Sequence, residues 1–292
     1  MSLLQLVSGG LRRAAESLDL ALAREEIREV RRTGAVLDEY IVGMPSAQNA
    51  VDALPGWNAA LPDYVGATAG PGVFYNDPRI LWSLEQFGSI EGCKVLELGP
   101  LEASHTYILE RNGAALIHAI EANKLSFLRC LVVKELLDLQ RAKFFLGDFT
   151  KWLEHTPERY DLIIASGVLY HMESPVRLLE LLAASCDAFY LWTHYASEEA
   201  MPPGDPRRSV FVGPVEIQEC HGVQVRLYKR SYHGAWQDKA FCGGMHDLHR
   251  WMEKEDILTI IRALGFADIR IAHDEPAHQN GPSLSIFARR TS

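Results

Sequence analysis

The sequence predicts an α/β fold built on a doubly wound, mostly parallel sheet. Short apolar runs alternate with amphipathic helical patterns between residues 94 and 193, and acids or glycines follow those runs at Glu97-Leu98-Gly99, Glu121, Gly147-Asp148 and Ser166-Gly167. Strands separated by helices of about ten residues imply βαβ units with right-handed crossovers. Open sheets of this kind bind ligands beyond the carboxyl ends of their strands. With 292 residues and 48% hydrophobic content, the chain can bury one substantial core.

Residues 3–41 read as a helical arm, because Leu11, Ala14, Ala15, Leu18, Leu22, Ile27 and Val30 recur at helical spacing among charges. Such an arm packs, joins two copies as a homodimer, or caps a substrate. The Pro-, Gly- and Ala-rich stretch 43–78 reads as an irregular connection. Strands are expected over 94–98, 116–121, 143–146, 162–165 and 188–193, and helices over 105–112, 124–138 and 176–185. Past His194 the rhythm breaks at Pro202, Pro203, Gly204 and Pro206. A strand over 223–232, paired with 215–219, belongs to an insertion spanning 196–249. A helix over 254–264 stops at Gly265, where glycine suits the left-handed cap, and strands over 268–272 and 284–288 finish the sheet. The expected division is an arm and linker over 1–72, then one domain over 73–292.

The net charge is −9, from 38 acidic and 29 basic residues, and the arginine pairs are scattered. That balance disfavours a phosphate backbone as partner, leaving tRNA a secondary possibility. The five cysteines form no Cys-x-x-Cys and no zinc pattern. His246 and His249 lack an accompanying carboxylate set, so no metal is expected. No stretch suits a membrane span, and charge enters from Arg12 onward. A cytoplasmic chain without a membrane partner is expected.

The run Val95-Leu96-Glu97-Leu98-Gly99-Pro100-Leu101-Glu102-Ala103 carries the strongest chemistry. Gly99 lets the backbone approach a ligand where a Cβ would clash. The helix behind it can offer amides to a carboxylate, and Glu97 can meet an ammonium group. Together these favour an amino-acid moiety over a pyrophosphate. Glu121, followed by Ala122 and Asn123, stands where an acid accepts ribose hydroxyls. Asp148 and Phe149 could receive and cover an adenine, and Ser166 and Gly167 end the fourth strand.

The order Glu97-x-Gly99, Glu121, Asp148-Phe149 and Gly167-Val168-Leu169-Tyr170-His171 resembles the class I S-adenosylmethionine-dependent methyltransferases. The segment from Ser166 to His171, followed by Ser174-Pro175, is similar to bacterial enzymes of the tRNA wobble-uridine carboxymethyltransferase type and their uncharacterised relatives. The resemblance implies a Rossmann-like seven-stranded sheet in order 3-2-1-4-5-7-6, the last strand antiparallel, and S-adenosylmethionine as cofactor. It departs at Leu101: the family's loop usually has small residues two and four places after its first glycine, and of these Ala103 fits while Leu101 does not. His171 and His194 are the candidate general bases, His171 first. Tyr75, Arg79, Tyr170, Tyr195, His246 and Trp251 are candidates for holding the acceptor. The expected function is methyl transfer to oxygen or nitrogen of a small molecule or saccharide. The alternatives are a tRNA-modifying alkyltransferase and a non-catalytic scaffold, the latter motivated by Leu101.

Overall fold

The computed structural model describes residues 40–235 and 242–291. The expected helical arm therefore lies almost wholly outside the described residues. The chain divides into Met1–Asn49 and Ala50–Ser292.

Seven strands form the main sheet: β1 (Lys94–Leu98), β2 (Leu116–Glu121), β3 (Ala142–Leu146), β4 (Leu162–Ser166), β5 (Ala188–His194), β9 (Asp268–Glu275) and β10 (Ser283–Arg289). Their order is β3-β2-β1-β4-β5-β10-β9, which is 3-2-1-4-5-7-6 once the insertion is set aside. β10 runs antiparallel to both neighbours, while the remaining pairs are parallel. The central strands are buried on both faces, which is why they read as continuous apolar runs. Leu96, Ile163, Leu191 and Ile286 point into one core, and Val95, Ile117, Ile164 and Tyr190 into the other.

The insertion forms an antiparallel sheet of β6 (Glu216–Cys220), β7 (Val223–Ser231) and β8 (Leu248–Met252) in that order. It docks at the carboxyl end of the main sheet. The Arg250 amide donates to the Met172 carbonyl (2.9 Å), and the Ala196 amide donates to the Met252 carbonyl (2.8 Å).

Helix ends follow local chemistry. Asn123 accepts from the Leu125 and Ser126 amides to open the helix Lys124–Leu136. The helix Lys254–Ala263 closes in a Schellman motif: Gly265, at φ 92°, donates to Arg262 and Phe266 donates to Ile261. Among the elements unread in the sequence are the helices Ala47–Asp52, Pro78–Phe87 and Phe149–His155, and β8. Asp77-Pro78 opens a helix rather than ending a loop, with Asp77 as cap and Pro78 in the first turn.

A buried ion pair fixes the connection 55–59 onto this domain. Glu102 and Arg129, each 1% exposed at the side chain, meet at 3.1 Å. Glu102 also accepts from the Asn58 (2.8 Å) and Ala59 (2.7 Å) amides, and Arg129 Nε donates to the Pro55 carbonyl (3.2 Å). Removing one partner of such a pair strands the other without compensation, at a cost of about 3–5 kcal/mol. Arg129→Met is expected to lower unfolding stability by that amount in a urea titration. An unchanged midpoint would show that the pair does not hold this connection.

Candidate active site

The turn after β1 is shaped by three residues with left-handed backbone: Gly99 (φ 64°), Leu101 (φ 54°) and Ala103 (φ 59°). Leu101 and Ala103 thus adopt a backbone that glycine takes freely, at a local steric cost. Part of that cost is offset by hydrogen bonds: the Leu101 amide donates to Glu121 Oε2 (3.1 Å), and the Ala103 amide to the Pro100 carbonyl (2.9 Å). A Cβ on Gly99 would lie 3.2 Å from Val168 Cγ1.

Glu97 is 1% exposed. Its Oε2 accepts from the Thr106 hydroxyl. Its Oε1 is buried with no hydrogen-bond partner among the described residues, the His105 Nδ1 standing 4.0 Å away. Burial pushes its pKa up, against the pull of His105 and Thr106. Glu121 is raised by burial too, although the Asn123, Leu101 and Ala122 amides oppose the shift. Past the ends of β2 and β3 opens a cavity of about 530 Å³ whose lining includes Ile120, Phe145, Gly147, Asp148 and Trp152. Asp148 caps the helix Phe149–His155 through Oδ1, which accepts from the Thr150 amide and hydroxyl, both at 2.7 Å. Phe149 lies half-buried against the core.

Across the turn, Asp77 gathers Arg79 (2.6 Å) and His105 (3.1 Å). Burial alone would raise the Asp77 carboxyl, but those two partners hold it well below the usual range. The Arg79 guanidinium lies 4.5 Å from the Trp192 ring centre. A cleft of about 290 Å³ adjoins it, lined in part by Arg79, Trp192, His273 and His278. The Tyr75 hydroxyl donates to the Glu102 carbonyl (3.4 Å).

The ends of β4 and β5 and the small sheet bring an aromatic group together. His194 stacks on Trp251, with ring centres 5.1 Å apart and planes within 5°. Tyr170 meets His194 edge-on at 4.7 Å. The Tyr170 hydroxyl is 3.8 Å from where a Gly167 Cβ would stand, and the Gly167 amide donates to the Trp192 carbonyl (2.9 Å) beside Ser166. His194 Nδ1 faces the Gly281 (2.9 Å) and Pro282 (3.2 Å) carbonyls, so it carries the proton and Nε2 the lone pair. His171 Nδ1 shares a hydrogen bond with the Tyr232 hydroxyl, whose oxygen also accepts from the Gly244 amide (2.8 Å). His171 Nε2 is buried without a partner.

Glu97, Gly99, Pro100, Leu101, Glu121, Ala122 and Asn123 thus converge at one end of the sheet, with Tyr170, His171, His194 and Trp251 beside them. Two candidates are not brought into that group. Tyr195 packs in the core and donates to Asp274 (2.9 Å). His246 is exposed, 3.7 Å from Glu173. Asp77, His105, Thr106, Trp192, Arg230 and Tyr232 join the site without having been singled out. Only Asp77-Pro78 carried a local signal, that of a helix start.

Solved structures share this fold. The N-terminal domain of EvdMO1, crystallised with SAH and D-fucose, superposes with a TM-score of 0.61 at 20% identity, covering 84% of this chain and 95% of that one. A methyltransferase from Mesorhizobium loti, described as S-adenosylmethionine dependent, superposes with a TM-score of 0.51 at 13% identity, over 75% of this chain and all of that one. The chain has the class I methyltransferase fold. In sequence, a tRNA U34 carboxymethyltransferase from Idiomarina loihiensis is 32% identical over 99 residues, spanning 32% of this chain and 29% of that relative's length. No protein-family model matches. No helix among the described residues is long and apolar enough to cross a membrane.

On this methyltransferase fold, three imidazoles are held neutral. Burial lowers His194 and His249 to about 4, and His171 well below its ordinary value. In the unfolded chain each titrates near 6.5. Below that pH the unfolded state takes up protons that the native state refuses, so stability falls as pH drops from 6.5 towards 4. Above 6.5 these groups contribute no pH dependence. Urea midpoints are expected to be flat from pH 7.5 to 7 and to fall by pH 5. His249→Phe, which keeps a ring against Tyr232, should flatten the acid limb by up to about 1.4 kcal/mol per pH unit. An identical limb in the variant would mean that His249 protonates freely in the native state.

Proposed function

We propose that the chain is an S-adenosylmethionine-dependent methyltransferase acting on a hydroxyl of a small-molecule or saccharide acceptor. The observation that carries this reading is the orphaned, buried Glu97 Oε1 beside a turn of three left-handed residues. A buried carboxylate oxygen without a donor is costly, and a ligand ammonium relieves it. The remaining residues fit the same cofactor. Glu121 has lone pairs left for ribose hydroxyls, with Ala122 and Asn123 alongside, and the cavity by Asp148 and Phe149 has room for adenine.

When bound, S-adenosylmethionine supplies a methyl group activated on a sulfonium. The chain's own residues must align the acceptor, keep water out and take its proton. Alignment of this kind contributes about 7–11 kcal/mol. Trp192 and Tyr170 line the same end of the sheet, an aromatic setting that suits a saccharide acceptor, and EvdMO1 was crystallised in the presence of D-fucose. His194 is the better base of the two histidines, because its Nδ1–H is tied to two carbonyls and its Nε2 is free to accept a proton. His171, whose Nδ1 is tied to the Tyr232 hydroxyl, is read as holding the acceptor rather than deprotonating it.

Calorimetric titration tests the reading. S-adenosylhomocysteine is expected to bind, and Glu97→Gln to weaken it by about 10- to 150-fold, the equivalent of about 1.5–3 kcal/mol for a charge-assisted hydrogen bond. No heat at millimolar ligand would sink the reading, and unchanged affinity in Glu97→Gln would remove Glu97 from it.

A second reading, alkyl transfer to tRNA, is favoured by the 99-residue match to the Idiomarina loihiensis protein. The net charge of −9 weighs against it. Filter binding with bulk tRNA is expected to show no retention at 150 mM salt; salt-sensitive, micromolar retention would reverse the preference.

A further inference from the structure

We infer that the acceptor carries an anionic group, a carboxylate or a phosphate, which Arg230 receives beside Trp251. This rests on reading the Tyr170, His194 and Trp251 group as the acceptor site.

Arg230 lies near the end of β7, its guanidinium carbon 4.5 Å from the Trp251 ring centre. Its Nε is buried with no hydrogen-bond partner, and no carboxylate among the described residues forms an ion pair with it. Several other arginines of the domain have a carboxylate partner. Arg79 is matched by Asp77, Arg129 by Glu102, Arg207 by Asp205, Arg226 by Asp256 and Arg250 by Glu216. The nearby carboxylate of Asp247 is engaged elsewhere, accepting from the Ser231 hydroxyl (2.8 Å) and the Tyr232 amide (3.0 Å).

The surroundings add donors but no negative charge. Trp251 is 1% exposed, and its indole N–H is buried without an acceptor. His171 Nε2 is likewise unpartnered. The ionisable side chains facing Arg230 are Tyr170, Tyr232 and the imidazoles of His171, His194 and His249, all neutral at pH 7. An unpaired guanidinium withdrawn from water is costly. Its planar fork suits a carboxylate or phosphate, and an arginine stacked on an aromatic face is already oriented for one. The Arg230 charge also helps to depress all three imidazoles. An anion seated on it would ease that depression and make His194 a stronger base only when acceptor is present.

The test uses the full chain saturated with S-adenosylhomocysteine, titrated calorimetrically with D-glucuronate, D-glucose 6-phosphate and D-glucose. At least one anionic sugar is expected to bind tenfold or more tighter than glucose, and which one does so separates carboxylate from phosphate. Arg230→Gln should abolish the difference, while Arg230→Lys, which keeps the charge, should retain most of it; melting curves confirm that both variants fold. In parallel, inorganic phosphate should move the histidine ring resonances of the parent protein and leave those of Arg230→Gln in place. Equal affinity for all three sugars, binding of none, or a preference for anions that survives Arg230→Gln would overturn the proposal. Repeating the phosphate titration without S-adenosylhomocysteine keeps it independent of the cofactor. Failure of S-adenosylhomocysteine to bind would end the methyltransferase reading while leaving the anion site to stand or fall by itself.

Discussion

The ligand end of the sheet depends on two carboxylates kept out of water on adjacent strands. β1 and β2 pair in parallel with Leu98 opposite Ile120, so Glu97 sits one rung before that pair and Glu121 one rung beyond it. Both are buried, and the charge of Glu121 adds to the upward push on Glu97. The turn from Gly99 to Ala103 follows Glu97 closely and presents the Leu101 amide to Glu121. That demand explains why Leu101 and Ala103 accept a backbone unfavourable for side chains. The resulting pocket holds negative potential with one oxygen unsatisfied, an arrangement complementary to a cation.

Much of this end was legible in the sequence because residue identity and strand position coincide there. Glu97, Gly99 and Glu121 lie where apolar runs stop, and a sheet with helices on both faces puts all such stops on one edge. Asp148 shows the limit of that logic. The same acid that suits an adenine amino group also caps its own helix, and the local sequence is identical in either role. The Arg230, Tyr232 and His249 group was not legible, because it depends on a long-range meeting of β7 and β8 with the β4 loop. In β8 the two-residue period buries His249 and Trp251 and leaves Arg250 on the other face. Without the strand recognised, His246 and His249 looked equivalent.

The insertion is more than a decorated loop. Its sheet is hydrogen-bonded to the residues after β4 through Arg250, which also donates to the Glu173 carbonyl (2.8 Å) and pairs with Glu216 (2.7 Å). Side chains offered from strands are held more firmly than those offered from loops. Arg230 and Trp251 therefore face the ends of β4 and β5 from a fixed platform, and the aromatic group is shaped jointly by the main sheet and the insertion.

The antiparallel β10 has a consequence for how this site comes into being. It fills the gap between β5 and β9, pairing with β5 across nearly a hundred residues of sequence. Contacts of such separation close late, because the loop entropy must be met before they return anything. The residues just ahead of β10, Gly281 and Pro282, are the same ones whose carbonyls fix the proton of His194. A growing chain can thus assemble β1 to β4 and the turn at Gly99 well before it has an imidazole of defined tautomer. The turn at Gly99 and the backbone that fixes the His194 ring draw on parts of the chain far apart in sequence, and the second needs the sheet to be closed.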